Sequence, residues 1–176
     1  MEIIQTNIEG LTIRINKVVK DERGFLAEIA PYAEDSFLKA GIGNIYVSVA
    51  KERNVAKAGH FHKKNVENFF TISGTSLWLF VDCRNDSLTF NKFYTVILGS
   101  KNFPQADTPF YTIEDSKMAQ VLVPSGVYHI FWPITDDDVT VLAIASEPYD
   151  KSDYEKIDLN NYPEIKNRLE KFEIQV

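Results

Sequence analysis

Cysteine occurs once, at Cys83, so no intrachain disulfide can staple this chain, a pattern that fits a reducing compartment such as the cytoplasm. Basic charge is in deficit: 19 Lys and Arg against 25 Asp and Glu leave a formal net charge of −6. That balance argues against a broad nucleic-acid-binding face and leaves room only for a local basic pocket for a phosphorylated small molecule. Long apolar runs are also missing. Uncharged apolar runs such as Asn68 to Phe80 are broken, there by Thr71, Ser73, Gly74, Thr75 and Ser76, and fall short of the ~20 apolar residues of a membrane span. The N-terminal MEIIQTNIEG has no basic region followed by an apolar one, so no secretory signal is read there. Histidine is scarce, with three in 176 residues, and that makes their spacing informative.

With 44% hydrophobic and 25% charged residues, a chain of this length predicts one domain with its own core over residues 1–176. Short β-rich runs punctuated by turn residues predict an all-β barrel over about residues 11–146, followed by a helical tail over about 151–174. The expected strands are Leu11–Ile15, Asn44–Ala50, Asn68–Ser73, Ser76–Asp82, Lys92–Ile97, Phe110–Ile113, Ala119–Val123, Tyr128–Trp132 and Val139–Ala145. Gly74, in ISGTSL, predicts a tight hairpin between its flanking runs. A short turn is expected at Glu34–Lys39, and a loop at Gly99–Thr108. Pro163–Phe172 predicts a helix with Pro in its first turn and Ile165, Leu169 and Phe172 on one face.

The chemistry concentrates in Gly59-His60-Phe61-His62, followed four residues later by Glu67 and six more by Gly74. On a strand, positions i and i+2 aim both imidazoles to one face. The third histidine, His129, lies in a second turn-then-strand unit, Pro124-Ser125-Gly126-Val127-Tyr128-His129. Three imidazoles and a carboxylate suit a divalent ion such as Zn, Fe, Mn, Ni or Co, with open positions for water or substrate. Unrelated histidines on strand surfaces are the plain alternative. No motif asks for an organic cofactor.

H-x-H, four residues, E, six residues, G, and later P-x-G-x-x-H resemble the two signature motifs of the cupin superfamily, a double-stranded β-helix or jelly roll. The resemblance implies that His60, His62, Glu67 and His129 converge inside one barrel. Asn54 and Pro133 depart from the pattern, which has a glycine and an asparagine there.

A narrower resemblance runs from about residue 18 to 150. Asp21-Glu22-Arg23-Gly24-Phe25-Leu26-Ala27-Glu28, Val81-Asp82-Cys83-Arg84-Asn85-Asp86-Ser87-Leu88-Thr89-Phe90 and Leu122-Val123-Pro124-Ser125-Gly126-Val127-Tyr128-His129 resemble segments of the dTDP-4-dehydrorhamnose 3,5-epimerases. The run from Ala143 to Tyr154 and the pattern His60-Phe61-His62-Lys63 look more like the related dTDP-4-keto-6-deoxyhexose 3,4-ketoisomerases. Around residues 59–74 the chain also resembles the metal-carrying cupin domain of some capsular sugar reductases. The resemblance implies an isomerase or epimerase acting on a nucleotide-linked 4-keto-6-deoxyhexose, in polysaccharide or natural-product assembly. It also implies a homodimer in which the Arg23 segment reaches the neighbouring site.

Under that resemblance His60 is the base that takes the proton beside the ketone, and Lys57 or a metal stabilises the developing oxyanion. Arg23 and Glu28 hold the nucleotide diphosphate, and Lys63 matches a ketoisomerase lysine. A metal-bound imidazole cannot also accept a proton, so if His60 is a ligand the base is Tyr46, Tyr128 or hydroxide on the ion. Arg23 has a plain alternative as the partner of Asp21 or Glu22 in a turn. Asp82 with Arg84 reads as a structural ion pair, Thr135–Asp138 as a solvated loop, and Tyr149, Asp150, Asp153 and Tyr154 as a strand exit capping a short helix. A metal-dependent dioxygenase and a non-catalytic sugar-binding domain remain the two alternatives from other functional classes.

Overall fold

The computed structural model describes residues 2–29, 41–105 and 107–176. Among the described residues thirteen strands form two facing sheets. One runs in the order β1 (Glu2–Gln5), β2 (Thr12–Asp21), β10 (Lys117–Val123), β6 (Glu67–Ser73), β12 (Val139–Ala145) and β4 (Asn44–Ala50), with β3 (Gly24–Ala27) paired to the far end of β2. The other runs β13 (Tyr154–Glu155), β5 (Lys57–His62), β11 (Val127–Pro133), β7 (Thr75–Asp82), β8 (Phe93–Gly99) and β9 (Phe110–Thr112). Chain neighbours repeatedly switch sheets, β4 to β5, β6 to β7 and β10 to β11. This is the all-β jelly roll that the paired motifs imply.

Alternation along each strand builds two cores. Between the sheets, Phe69, Trp78, Phe80, Phe131, Val121 and Val141 interdigitate, and the Trp78 and Phe131 rings lie 4.7 Å apart. The outer face of the second sheet is apolar as well: Leu77, Leu79, Tyr128, Ile130 and Trp132 pack under the tail. There the helix α1 (Pro163–Glu170) buries Ile165 and Leu169, with Phe172 and Ile174 following. Burial of each such side chain stabilises the docked tail by roughly 1.5–3 kcal/mol. Covered on both faces, β7 is buried at all of its positions, which is why it reads as a nearly unbroken apolar run.

The nine expected strands are present with end shifts, and β2 extends to Asp21 where Ile15 was expected. β1, β3 and β13 were not anticipated, nor was β5 delimited as a strand. The helix ends at Glu170, two residues early. The hairpin expected at Gly74 is a corner instead: β6 pairs with β10 and β12, while β7 pairs with β11 and β8 in the opposite sheet. Gly74 makes that corner with φ +70°, and a Cβ there would lie 2.5 Å from the Asp138 carbonyl oxygen. The turn expected at Glu34–Lys39 lies outside the described residues. Asp82, fully buried, takes two bonds of 2.8 Å from the Arg84 guanidinium, so that pair is structural. Among the described residues no helix is long and apolar enough to cross a membrane.

Candidate active site

β5 begins irregularly. Ala58 and Gly59 both adopt left-handed backbone, φ 69° and 85°, and the register with β11 slips there, so that His60 faces His129 while Ala58 already faces Ile130. Such a bulge re-aims the residues that follow it. Beyond it, His60 and His62 point into the barrel, His129 joins them from β11, and Glu67 opens β6 in the opposite sheet. Their four ligand atoms lie within 4.8 Å of one another. Phe69 forms the floor, its ring 5.1 Å from that of His129.

Within the cluster His60 Nε2 and His62 Nε2 are 3.2 Å apart. Glu67 Oε2 lies 3.2 Å from His62 Nε2 and 3.3 Å from His129 Nε2, and Glu67 Oε1 accepts a 2.7 Å bond from the Tyr46 hydroxyl. His129 sits with Nδ1 3.3 Å from the Val127 carbonyl, which turns Nε2 to the centre. His62 Nδ1 lies 3.0 Å from Asp153 Oδ2. Among the described residues, the buried atoms Glu67 Oε2 and His129 Nε2 meet no hydrogen-bond geometry, although they lie 3.3 Å apart and face the same point.

Charge follows from this crowding. Burial, then the neighbouring imidazoles of His129 and His62, push His60 down to about 3, so it stays neutral at neutral pH. Burial likewise lowers His129. Burial alone would raise Glu67, but His62, His129 and Tyr46 hold its carboxyl down to about 2. For His62, burial is outweighed by Glu67 and Asp153, which raise it. Burial, reinforced by the Glu67 charge, lifts the Tyr46 hydroxyl well above its ordinary value and keeps it a proton donor.

The cluster opens onto a cavity of about 350 Å3 at the cleft between β4 and β5, roofed by residues 147–154. Tyr46, His62 and Glu67 line its inner wall, and among the described residues no Lys or Arg lines it. Tyr154 stands at the rim with its ring centroid 4.4 Å from that of His60 and 4.6 Å from that of His62.

The remaining expected site residues are dispersed. Tyr128, named as a candidate base, faces away from His129 into the outer core, because neighbours on a strand point to opposite faces; burial pushes its hydroxyl up to about 12. Lys57 is exposed at the start of β5 and, among the described residues, makes no hydrogen bond or ion pair with the cluster. Arg23 sits at the tip of the β2–β3 hairpin, its side chain 82% exposed and 2.5 Å from Asp21, and Glu28 is exposed just beyond β3. Lys63 is exposed and paired with Glu155 at 2.7 Å. Two contributors escaped the sequence reading, Asp153 and Tyr154, taken there as part of a capped strand exit. Their only local signal is the Tyr-Asp-x-x-Asp-Tyr run at 149–154.

The sequence model of a family described as dTDP-4-dehydrorhamnose 3,5-epimerase matches residues 5–168. A spore coat polysaccharide biosynthesis protein, SpsL, from Bacillus subtilis (strain 168) is 25% identical over 149 residues, covering 82% of this chain and 87% of that protein. Among solved structures, a dTDP sugar isomerase from Desulfovibrio desulfuricans superposes with a TM-score of 0.71 at 18% identity, covering 91% of this chain and 90% of the other. A dTDP-4-dehydrorhamnose 3,5-epimerase from Bacillus anthracis, solved with TDP and PPi bound, gives 0.71 at 22% identity, covering 90% and 85%.

Proposed function

Because this chain belongs to the dTDP-4-dehydrorhamnose 3,5-epimerase family, and so among the sugar-nucleotide epimerases, we propose that it isomerises or epimerises a nucleotide-linked 4-keto-6-deoxyhexose. The proton leaves the carbon beside the ketone. What carries this reading is the convergence of His60, His62, Glu67 and His129 in one cluster, of which His62 and Glu67 line a cavity of about 350 Å3, space for one hexose. A reaction through an enediolate needs a base for the carbon-bound proton, a group to hold the developing oxyanion, and a donor to return a proton. His60 is neutral and aligns with the family's base. Tyr46, protonated and on the cavity wall, is suited to donate.

The same residues fit a divalent metal. Two buried ligand atoms, Glu67 Oε2 and His129 Nε2, approach to 3.3 Å without hydrogen-bond geometry and face one point with the Nε2 atoms of His60 and His62 close by. His60, His62, Glu67 and His129 would hold the ion, and its chemistry there is to polarise the ketone oxygen. His60 would then be committed to the metal and unavailable as the base, while Tyr46, held protonated, keeps the role of donor. Measured metal content of the purified protein decides whether His60 is free to take the proton.

A homodimer fits the exposed apolar row Ile45, Val47 and Val49 on the edge strand β4 and the exposed Val19, Phe25 and Leu26 on the β2–β3 hairpin. Since among the described residues no cation lines the cavity, a partner for the diphosphate is sought elsewhere, and the hairpin of a second copy would bring Arg23 to it. A cytoplasmic setting suits a chain whose single cysteine, Cys83, is a free thiol.

The test is proton NMR of dTDP-4-keto-6-deoxyglucose with the protein in D2O. Exchange at sugar carbons 3 and 5 identifies a 3,5-epimerase, exchange at carbon 3 alone a single-site epimerase, and exchange at carbon 3 with the ketone moved there a ketoisomerase. No exchange with both metal-loaded and metal-free protein overturns the reading.

A further inference from the structure

The short turn Lys151–Asp153 is capped by Asp150, whose side chain accepts from Ser152 N. That leaves the Asp153 carboxylate free of capping, and it turns inward, 8% exposed. Oδ1 accepts from Lys64 N at 2.9 Å, and Oδ2 accepts from Asn65 N at 3.3 Å while facing His62 Nδ1 at 3.0 Å. The backbone is tied down as well, because Lys63 N donates to Asp153 O at 3.1 Å and Tyr154 pairs with His62 in the β13–β5 ladder. Both carboxylate oxygens are therefore engaged by the chain that follows His62, and the carboxylate cannot swing away without breaking backbone bonds.

We propose that Asp153 is the positioning residue of the metal cluster: it holds the proton of His62 on Nδ1 and so presents the Nε2 lone pair to the point shared with Glu67, His60 and His129. The inference rests on the metal reading above. An imidazole has two neutral tautomers, and the one protonated on Nε2 would aim an N–H where an ion needs a lone pair. His129 has only a backbone carbonyl on its Nδ1, whereas His62 has a carboxylate. The position of Asp153, 91 residues after His62, makes docking of the C-terminal segment a condition for assembling the centre.

The test uses the full chain, wild type and Asp153→Asn, with Co2+ as probe. Asn keeps the size but has one acceptor oxygen in place of two, so it cannot serve the backbone N–H groups and the imidazole together. Chelator competition should show Co2+ binding weakened about 10- to 100-fold in the variant, with a changed visible Co2+ spectrum. In the Zn2+-loaded wild type, ring 15N NMR should show His62 bound through Nε2 and protonated on Nδ1. Unchanged Co2+ affinity and spectrum in the variant, or a wild-type His62 bound through Nδ1, overturns the inference and leaves the metal centre standing. A wild-type protein that takes up no Co2+ overturns the metal reading, and this inference with it. Should Asp153→Asn fail to fold, the wild-type NMR decides alone.

Discussion

Glu67→Gln keeps the volume of a side chain that is 2% exposed and deletes only its charge. In the fold the carboxyl is held down to about 2 from an ordinary 4.5. At 1.36 kcal/mol per pH unit, that difference makes ionised Glu67 worth on the order of 3 kcal/mol to the folded state. The sign is that of a depressed acid: the stabilisation is fully present above pH 4.5 and is lost as pH falls through about 2. Gln cannot supply it, and its amide would place N–H groups against the nitrogens of His62 and His129. Urea unfolding at pH 7 with a chelator present should therefore show a loss of about 3 kcal/mol, a fall in midpoint of ~1.5 M at a slope of ~2 kcal/mol/M. The gap should close as pH falls from 4.5 toward 2. A Gln variant within ~0.5 kcal/mol of wild type at pH 7, or a gap that widens on acidification, refutes the argument that Glu67 is ionised against His62. With metal supplied, the deficit should grow, because an ion bound to the native state adds stability only where its ligands are intact.

His60→Ala should cut solvent-proton exchange into the substrate by ~10²–10⁴-fold or more in either division of roles, while near-wild-type exchange would remove His60 from the reaction. Because His60 stays neutral down to about pH 3, kcat/KM of the metal-free protein should show no acid limb attributable to it near 6.5, and a limb there that disappears in His60→Ala contradicts the assignment. Val47→Lys puts a charge in the exposed apolar row of β4 and should shift the protein to monomer in light scattering without lowering its thermal midpoint as a monomer; an unchanged dimer would move the interface elsewhere. Gly74→Ala meets both a left-handed φ and a carbonyl oxygen 2.5 Å from the new Cβ, so thermal unfolding should report a loss of at least ~1–3 kcal/mol, and a neutral result would deny the corner its constraint.

What the residues disclosed depended on how local the cause was. Period-two alternation marks Ala119–Val123 and Val139–Ala145 because one face of each is core, and H-x-H spacing alone aligns His60 with His62. β5 escaped as a strand because Ala58 and Gly59 break that alternation with left-handed backbone, in the same place that aims the histidines. Gly74 could be read as a turn, yet hairpin and corner have the same local signature; the choice is made by the backbone at Asp138 and Val139, which pack against it from far along the chain. Tyr128 and His129 had to face opposite ways, but both faces of β11 are buried, one by the barrel and one by the tail, so apolarity could not tell them apart. Asp153 reaches His62 across 91 residues, a contact that no spacing encodes.

The dispersal of Arg23 and the lack of cations among the described residues around the cavity are two halves of one question. A diphosphate needs guanidinium or ammonium partners, and among the described residues the cavity wall offers none, while Arg23 projects at a hairpin tip, 82% exposed and paired with its neighbour Asp21. If Arg23 completes the site of a second copy, sites are made from two chains, and complementation follows from symmetry. Arg23→Ala and His60→Ala should each be inactive alone. After unfolding and refolding together in equal amounts, half of the dimers are mixed and one site in each combines an intact His60 with an intact Arg23, so about a quarter of wild-type activity should return. If Arg23 serves its own chain, no site in the mixture holds both residues and activity stays at the level of the single variants. A silent mixture, with mixed dimers demonstrated by differential tagging, therefore refutes the shared site, and the surface pairing of Arg23 with Asp21 then stands as its whole role.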